Sequence, residues 1–189
     1  MTRKVYLEDE IVALSEYMSA SDDAACYHCW QDNETQKGYN FQLTKSFEEF
    51  KSGGVRSRFL ATIIRKSDGT CVGAIFLSPE NSLPDLAIMI YPPYRRNGYA
   101  TRAFSLGVAY CFDTLKMERI YAGCYPQNAA SLRMLNKCGF KPHPQGNQNE
   151  QHFLTGEDIV QLDFVIHNPE SANNAKNQNP RLGDFYEPG

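Results

Sequence analysis

Apolar and polar positions along this chain alternate between two periods. Residues 11–17 (IVALSEY) mix apolar and polar positions as a short strand does. Ser21-Asp22-Asp23 then offers a polar start with early acids for a helix that continues over residues 24–31. Residues 37–44, rich in Gly, Asn and aromatics, read as a loop. Ser46 with Glu49 forms a capping box for a short helix, SFEEFKS, ended by Gly53-Gly54. Residues 58–65 (RFLATIIR) and 70–77 (TCVGAIFL) are strand-like runs joined by Lys66-Ser67-Asp68-Gly69, and Asp-Gly marks a hairpin. After a loop over residues 78–84, residues 85–91 form a central strand that stops at Pro92-Pro93.

Asn97-Gly98 has the form of another hairpin turn. That reading fails because Ala100, Ala103, Phe104, Gly107, Val108, Cys111, Phe112 and Leu115 follow at helical spacing. Residues 119–124 (RIYAGC) make a further strand, and Tyr125-Pro126-Gln127 turns the chain. Asn128 caps a helix carrying Leu132 and Leu135, and Gly139 ends it. A polar loop over residues 143–150 precedes two last strands, 151–154 and 159–167, joined by Thr155-Gly156-Glu157. Beyond His167 the chain turns rich in Asn and Pro, so residues 168–189 read as a tail, with Leu182, Phe185 and Tyr186 able to pack on the domain. Strands alternating with helices after a hairpin predict an α/β (α+β) domain over residues 1–167. Its mixed central sheet would have about six or seven strands, flanked by about four helices.

Composition narrows this. At 189 residues and 42% hydrophobic, the chain suits one domain with a genuine core. A net charge of −3 and a pI near 5.8 oppose a dedicated nucleic-acid binder. No run reaches the roughly 18 apolar residues that would span a membrane. The opening MTRKVYLEDEIV lacks the apolar core of a secretory signal, so a cytoplasmic protein, monomer or homodimer, is expected. Six cysteines fit that setting. Cys26-Tyr27-His28-Cys29 has metal or redox spacing, but no second ligand pair accompanies it, and Asp22 and Asp23 precede it, so no metal site is expected.

The chemistry concentrates at residues 88–112. An apolar strand there runs through a basic turn, Arg95, Arg96, Asn97 and Gly98, into a helix that opens with Tyr99, Ala100 and Thr101. The first N–H groups of a helix lack intrahelical partners, its dipole favours an anion there, and glycine lets a ligand approach the backbone. The ligand expected at this turn is a small molecule bearing phosphate or pyrophosphate.

Two motifs then combine. Arg95-x-x-Gly98-x-Ala100 resembles the acyl-CoA pyrophosphate signature of the GNAT N-acetyltransferases. Further on, residues 128–140 (NAASLRMLNKCGF) resemble the Asn-x-x-Ser…Lys-x-Gly-Phe segment of that superfamily, most like its ribosomal-protein N-terminal acetyltransferase branch. The resemblance runs from residue 11 to about residue 167. It implies a GNAT fold whose sheet splays between strands 85–91 and 119–124 to hold the pantetheine arm of acetyl-CoA. It implies that backbone amides of Arg96, Gly98 and Ala100, with neighbours Asn97, Tyr99 and Thr101, hold the pyrophosphate, and that Arg95 and Arg96 add charge. Backbone groups of Met89, Ile90 and Tyr91 would pair with pantetheine and polarise the thioester, and Asn128 and Ser131 would meet the far end of the arm.

Transfer from a thioester to an amine needs a base, a stabilised oxyanion and a proton for the thiolate. The tyrosine that many relatives use as acid falls at Leu135 here, so Ser131, Tyr125 or water is left for that role. For the base, Asp85 matches an acidic position of the branch, and Glu80 is a weaker alternative. No nucleophile-histidine arrangement is present, so direct transfer to a primary amine in a ternary complex is expected. The acceptor segments, residues 22–50 and 143–158, carry Asp22, Asp23, Asp32, Glu34, Glu48, Glu49 and Glu150 with Tyr27, Trp30, Tyr39 and Phe41. Acids and aromatics suit a cationic amine such as a peptide N-terminus, a polyamine or an aminoglycoside-like compound. A non-catalytic acyl-CoA-binding module with the same fold is the alternative that the missing tyrosine leaves open.

Overall fold

A computed structural model describes residues 3–53 and 57–171 of the chain. β1 (Val5–Glu8) and β2 (Val12–Glu16) open it as an antiparallel pair. β1 is only four residues long, and Tyr6 anchors it by packing on Phe59 and Tyr110. α1 (Ser19–Gln31) begins ahead of the predicted Ser21, because Asp22 reaches back to accept from the Met18 N–H at 2.9 Å. α2 (Asn33–Tyr39) takes the first part of the predicted loop 37–44. It lacks an apolar period and rests on its ends, where Asp32 accepts from the Thr35 N–H at 2.9 Å and Asn40 closes the helix at φ 49°.

α3 (Phe47–Gly53) carries the predicted capping box, with Glu49 accepting from the Ser46 N–H at 2.8 Å and Ser46 accepting from the Glu49 N–H at 3.4 Å. Gly53 is its last residue, and Gly54 lies outside the described residues. The hairpin of β3 (Phe59–Arg65) and β4 (Thr70–Leu77) forms as predicted, with Gly69 at φ 73° in the turn. β5 (Leu86–Ile90) completes an antiparallel sheet in the order β1-β2-β3-β4-β5.

A 3-10 turn at Pro92–Tyr94 leads to α4 (Tyr99–Asp113), followed by β6 (Arg119–Cys124) and α5 (Ala129–Lys137). β7 (Lys141–Pro142), a 3-10 turn at Pro144–Gly146, β8 (Gln148–Gln151) and β9 (Asp158–His167) end the domain. The predicted strand over 151–154 is displaced into the predicted polar loop. β8 reads QNEQ, with no apolar member, so only its ladder to β9 makes it a strand.

β6, β9 and β7 form a second sheet, with β8 paired to β9. Among the described residues the two sheets meet at one parallel bridge, Asp85 with Tyr121, beside which the Tyr121 N–H donates to the Pro84 carbonyl at 2.9 Å. The α/β architecture is therefore present, among the described residues as two sheets and nine strands where one splayed sheet of about six or seven is expected. The extra strands are β1, of four residues, and β7, of two.

Ala103, Phe104, Gly107, Val108, Cys111 and Phe112 of α4 pack on Leu14, Ile63, Ile75 and Leu86, as their spacing predicts. A smaller cluster of Cys26, Cys29, Ala74, Met89 and Tyr91 lies under α1. Burial pushes the Cys26 thiol up to about 12, and all six cysteines are free, so the Cys26–Cys29 pair packs as small apolar groups. Asn168, the first residue of the predicted tail, is buried and its N–H donates to the Glu118 carbonyl at 2.8 Å. Leu182, Phe185 and Tyr186 lie outside the described residues.

α1 is pinned to the sheet by a buried ion pair. Arg3 donates to both oxygens of Asp22 at 2.5 Å, and Thr62 Oγ1 adds a bond to the same carboxylate at 2.5 Å. Burial alone would push the Asp22 carboxyl up; the bonds from Arg3, Thr62 and the Met18 N–H outweigh it and hold the carboxyl below its ordinary value. A depressed carboxylate contributes stability that is present above its unfolded value and lost as pH falls through the folded one. Asp22→Ala strands Arg3 and Thr62, so a loss of about 3–5 kcal/mol is expected in urea unfolding at pH 7. That difference should shrink as the pH falls through the acid range.

Candidate active site

β5 and β6 run parallel from the Asp85–Tyr121 bridge and then part. The Tyr91 N–H is bonded to the Val72 carbonyl, and the Asp85 carbonyl accepts from the Ser78 N–H, so odd-numbered residues of this strand face β4. Alternation turns the peptide groups of Leu86, Ile88 and Ile90 toward the gap. Two of their carbonyls are already occupied. Tyr39 Oη donates to the Ile88 carbonyl at 2.7 Å, and Arg95 Nε donates to the Ile90 carbonyl at 3.2 Å. Of the predicted backbone ligands, Ile90 thus faces the gap while Met89 and Tyr91 face β4. Ile88, which the motif did not single out, faces the gap.

Each diverging strand leads to a helix N-terminus. At the end of β5, Pro92 and Pro93 have no N–H to extend the ladder, and the chain turns through Arg96 at φ 65° and Gly98 at φ 78°. Left-handed backbone of this kind gathers successive N–H groups into an anion-binding concavity. Gly98 is the N-cap of α4, and no side chain caps that helix. Tyr99 is buried, Ala100 and Thr101 are half-buried, and Arg96 and Asn97 are exposed. Asn97 Nδ2 donates to the Tyr94 and Arg95 carbonyls, which braces the turn from outside.

Arg95 points inward. Besides Ile90, its guanidinium donates to Asp32 Oδ2 and Thr35 Oγ1, both at 2.7 Å. Burial would raise the Asp32 carboxyl, but the bonds from Arg95 and Thr35 overcome this and hold it below its ordinary value. Asp32 therefore ties the start of α2 to the end of β5. The predicted acceptor acids are similarly engaged: Asp22 with Arg3, Asp23 with Tyr17 Oη at 2.8 Å, Glu34 with Lys37, and Glu48 with Lys51.

At the end of β6, Asn128 Oδ1 accepts from the Ser131 N–H at 3.1 Å and caps α5. The half-buried Ser131 hydroxyl makes no hydrogen bond among the described residues. Tyr125 is buried, and its hydroxyl donates to Glu150 Oε2 at 2.7 Å. Asn40 joins that carboxylate at 2.9 Å. Burial first, then Glu150, pushes the Tyr125 phenol up, so it holds its proton firmly. Leu135, where the tyrosine of many relatives would fall, is a buried core residue.

Where the strands meet, the Asp85 N–H is held by Ser78 Oγ at 3.0 Å, while its carboxylate has no hydrogen bond or ion pair among the described residues. Burial, and then the nearby Asp163, pushes the Asp85 carboxyl up to about 6. The weaker alternative, Glu80, is exposed in the turn ahead of this strand. Among the described residues no group of three or more His, Cys, Asp and Glu is arranged to hold a metal ion, and no helix is long and apolar enough to cross a membrane.

A family model described as an acetyltransferase (GNAT) domain matches residues 8–141. The chain is 27% identical over 132 residues to the uncharacterized N-acetyltransferase YoaA of Bacillus subtilis (strain 168), covering 64% of this chain and 74% of that protein. Among solved structures, it resembles spermidine N-acetyltransferase from Vibrio cholerae in complex with CoA and spermine, at TM-score 0.74 and 17% identity over 84% of this chain and 96% of that one. It also resembles ribosomal-protein-S5-alanine acetyltransferase from Vibrio fischeri, at TM-score 0.66 and 17% identity over 87% and 97% of the two chains.

The tie between Arg95 and Asp32 can be tested apart from any reaction. Asp32→Ala removes both the α2 cap and the anion facing Arg95, so a loss of about 1–2 kcal/mol is expected in chemical denaturation. In a double-mutant cycle with Arg95→Gln the two losses should fall short of additive.

Proposed function

The chain belongs to the GNAT acetyltransferase family, and on that premise we propose that it transfers an acetyl group from acetyl-CoA directly to a primary amine, with Asp85 as the base and Ser131 as the acid. The supporting observation is the gap itself, which leads from the uncapped N-terminus of α4 down to the half-buried Asp85. Backbone amides of Arg96, Gly98 and Ala100, with Asn97, Tyr99 and Thr101, would hold the pyrophosphate there. Arg96, exposed, is free to add charge, whereas Arg95 works by fixing the turn to α2. The Ile88 and Ile90 N–H groups suit the pantetheine arm and the thioester oxygen. Acetyl-CoA supplies an activated acetyl thioester; the chain supplies position, hydrogen bonds and proton transfer.

Asp85 is ionised above about pH 6 and can then take a proton from the incoming ammonium, directly or through water. Ser131 is favoured over Tyr125 as the acid for the thiolate because its hydroxyl is uncommitted, while the Tyr125 proton is given to Glu150. The place of the chain in the ribosomal-protein branch rests on residues 128–140 and on a shared fold. For the acceptor, a peptide N-terminus and a small-molecule amine both fit an acidic, aromatic approach. The spermidine enzyme of similar fold supports keeping polyamines among the compounds worth trying.

Acetyl-CoA should raise the melting temperature, and Gly98→Trp should abolish that shift by filling the turn. If neither acetyl-CoA nor CoA stabilises the protein, the reading of the gap is wrong. Thiol release with a panel of peptides, polyamines and aminoglycosides should find a substrate, and binding without turnover would favour an acyl-CoA-binding module. Ser131→Ala should lower kcat by about 100-fold; an unchanged kcat removes it as the acid.

kcat/KM should rise with pH through about 6 and lose that limb in Asp85→Asn. A carboxyl held above its unfolded value stabilises the fold below about pH 4, and the contribution is lost as pH rises through about 6. Asp85→Asn should therefore be the more stable protein at pH 8, by roughly 1–3 kcal/mol, while turning over more slowly.

A further inference from the structure

One group of titratable side chains lies beside the gap and has no part in the chemistry described so far. Asp163 sits on β9 opposite Gly123 of β6, and two positions along that ladder Val165 faces Tyr121. Alternation puts Tyr121, Gly123, Asp163 and Val165 on one face of the second sheet, and the Gln161 side chain lies over Gly123 beside them. Tyr121 is the residue that bridges to Asp85. Its ring packs on the His143 imidazole at 5.5 Å, and His143 Nδ1 lies 2.8 Å from Asp163 Oδ2.

The 3-10 turn at Pro144–Gly146 and its flanks clamp Asp163 by backbone and side chain alike. The His143 N–H donates to the Asp163 carbonyl at 2.8 Å, and the Asp163 N–H donates to Asn147 Oδ1 at 2.9 Å. A Cβ on Gly146 would collide with Asp163 Oδ2 and with His143 Nδ1, so a larger residue there would displace that pair. The backbone bonds alone would serve a structural turn. The added carboxylate, only 13% exposed on the face that leads to Asp85, is not required by them.

We propose that Asp163 is a positioning residue that sets a fixed negative charge beside Asp85 and so tunes Asp85 as the base. The proposal rests on the reading of Asp85 given above. Like charge in a half-buried site disfavours a second carboxylate, so Asp85 keeps its proton to higher pH and is a stronger base once ionised. The other groups that face Asp85 are Tyr39 from α2 and Tyr121 from β6, while His143 faces Asp163 from the turn. Neither tyrosine carries a charge near neutral pH, which leaves Asp163 as the anion that matters.

The test is the titration of the Asp85 side-chain carboxyl by carbon NMR in the substrate-free, full-length protein, with the pH dependence of kcat/KM alongside. Asp163→Asn keeps the shape and an oxygen for His143 but removes the charge, and should move the Asp85 midpoint down by about one pH unit. Asp163→Glu, which keeps the charge, should leave most of the difference in place. A purely structural role would not separate these two variants. If Asp163→Asn unfolds the protein, Asp163→Ser provides the same reading with a smaller side chain. An Asp85 midpoint that stays put in the uncharged variants overturns the proposal whatever the activity. A midpoint that moves while the acid limb of kcat/KM does not would uphold the charge effect and remove Asp85 as the base.

Discussion

A sheet ordinarily continues because each strand offers the next a row of carbonyl and N–H groups. Here β5 offers that row, but side chains answer it. Tyr39 of α2 occupies the Ile88 carbonyl and Arg95 occupies the Ile90 carbonyl, so β6 has no ladder to join beyond Asp85 and Tyr121. Half-buried carbonyls must still find donors, and supplying them from two side chains keeps the gap from closing on itself. Every proposed feature of the site depends on that substitution. It leaves the N–H groups of Ile88 and Ile90 directed at the gap, sends both strands to helix N-termini, and confines Asp85 to the narrow end.

The same substitution explains where the charges went. Asp32 and Arg95 form a three-way tie between the α2 cap, the end of β5 and the basic turn. An ion pair of this kind has little value as stability when exposed, but each partner here also satisfies a backbone group. Asp22 does comparable work for α1 with Arg3 and Thr62. Of the acids that in sequence look like a coating for a cationic acceptor, Asp22, Asp23 and Asp32 are internal fastenings, while Glu34 and Glu48 stay exposed. Glu150, fixed by Tyr125 and Asn40, is the acidic group at the open end of β6.

The elements with strong periods were legible. The β3–β4 hairpin was announced by Asp68-Gly69, α4 by its apolar stripe, and α5 by Asn128 and Gly139. α2, β1, β7 and β8 were not, because their stability comes from partners distant in sequence. α2 needs Asp32 and Asn40 at its ends, β1 needs Phe59 and Tyr110 beneath Tyr6, and β8 needs β9. At the site, the turn at Gly98 could be read from residue type, since glycine takes left-handed backbone freely, whereas the left-handed Arg96 beside it could not. The direction of Arg95 could not. An arginine in a motif reads as a cation for a ligand, and only the fold reveals that Asp32, far back in the chain, is its partner.

The two ends of the gap place opposite demands on the protein. The wide end needs unpaired N–H groups, which water satisfies readily until a ligand arrives, so an anion site there costs the fold little. The narrow end holds a carboxylate that the fold would rather keep protonated, and no hydrogen bond or cation among the described residues relieves it. A neutral residue at position 85 would suit the packing better, and Asp163 beside it makes the strain greater rather than less. Strain of this sort, built from burial and like charge and held by a clamped turn, is expected at a base rather than in a scaffold. The basic turn therefore suits the proposed cofactor, while the discomfort of Asp85 is the stronger support for its proposed role as the base.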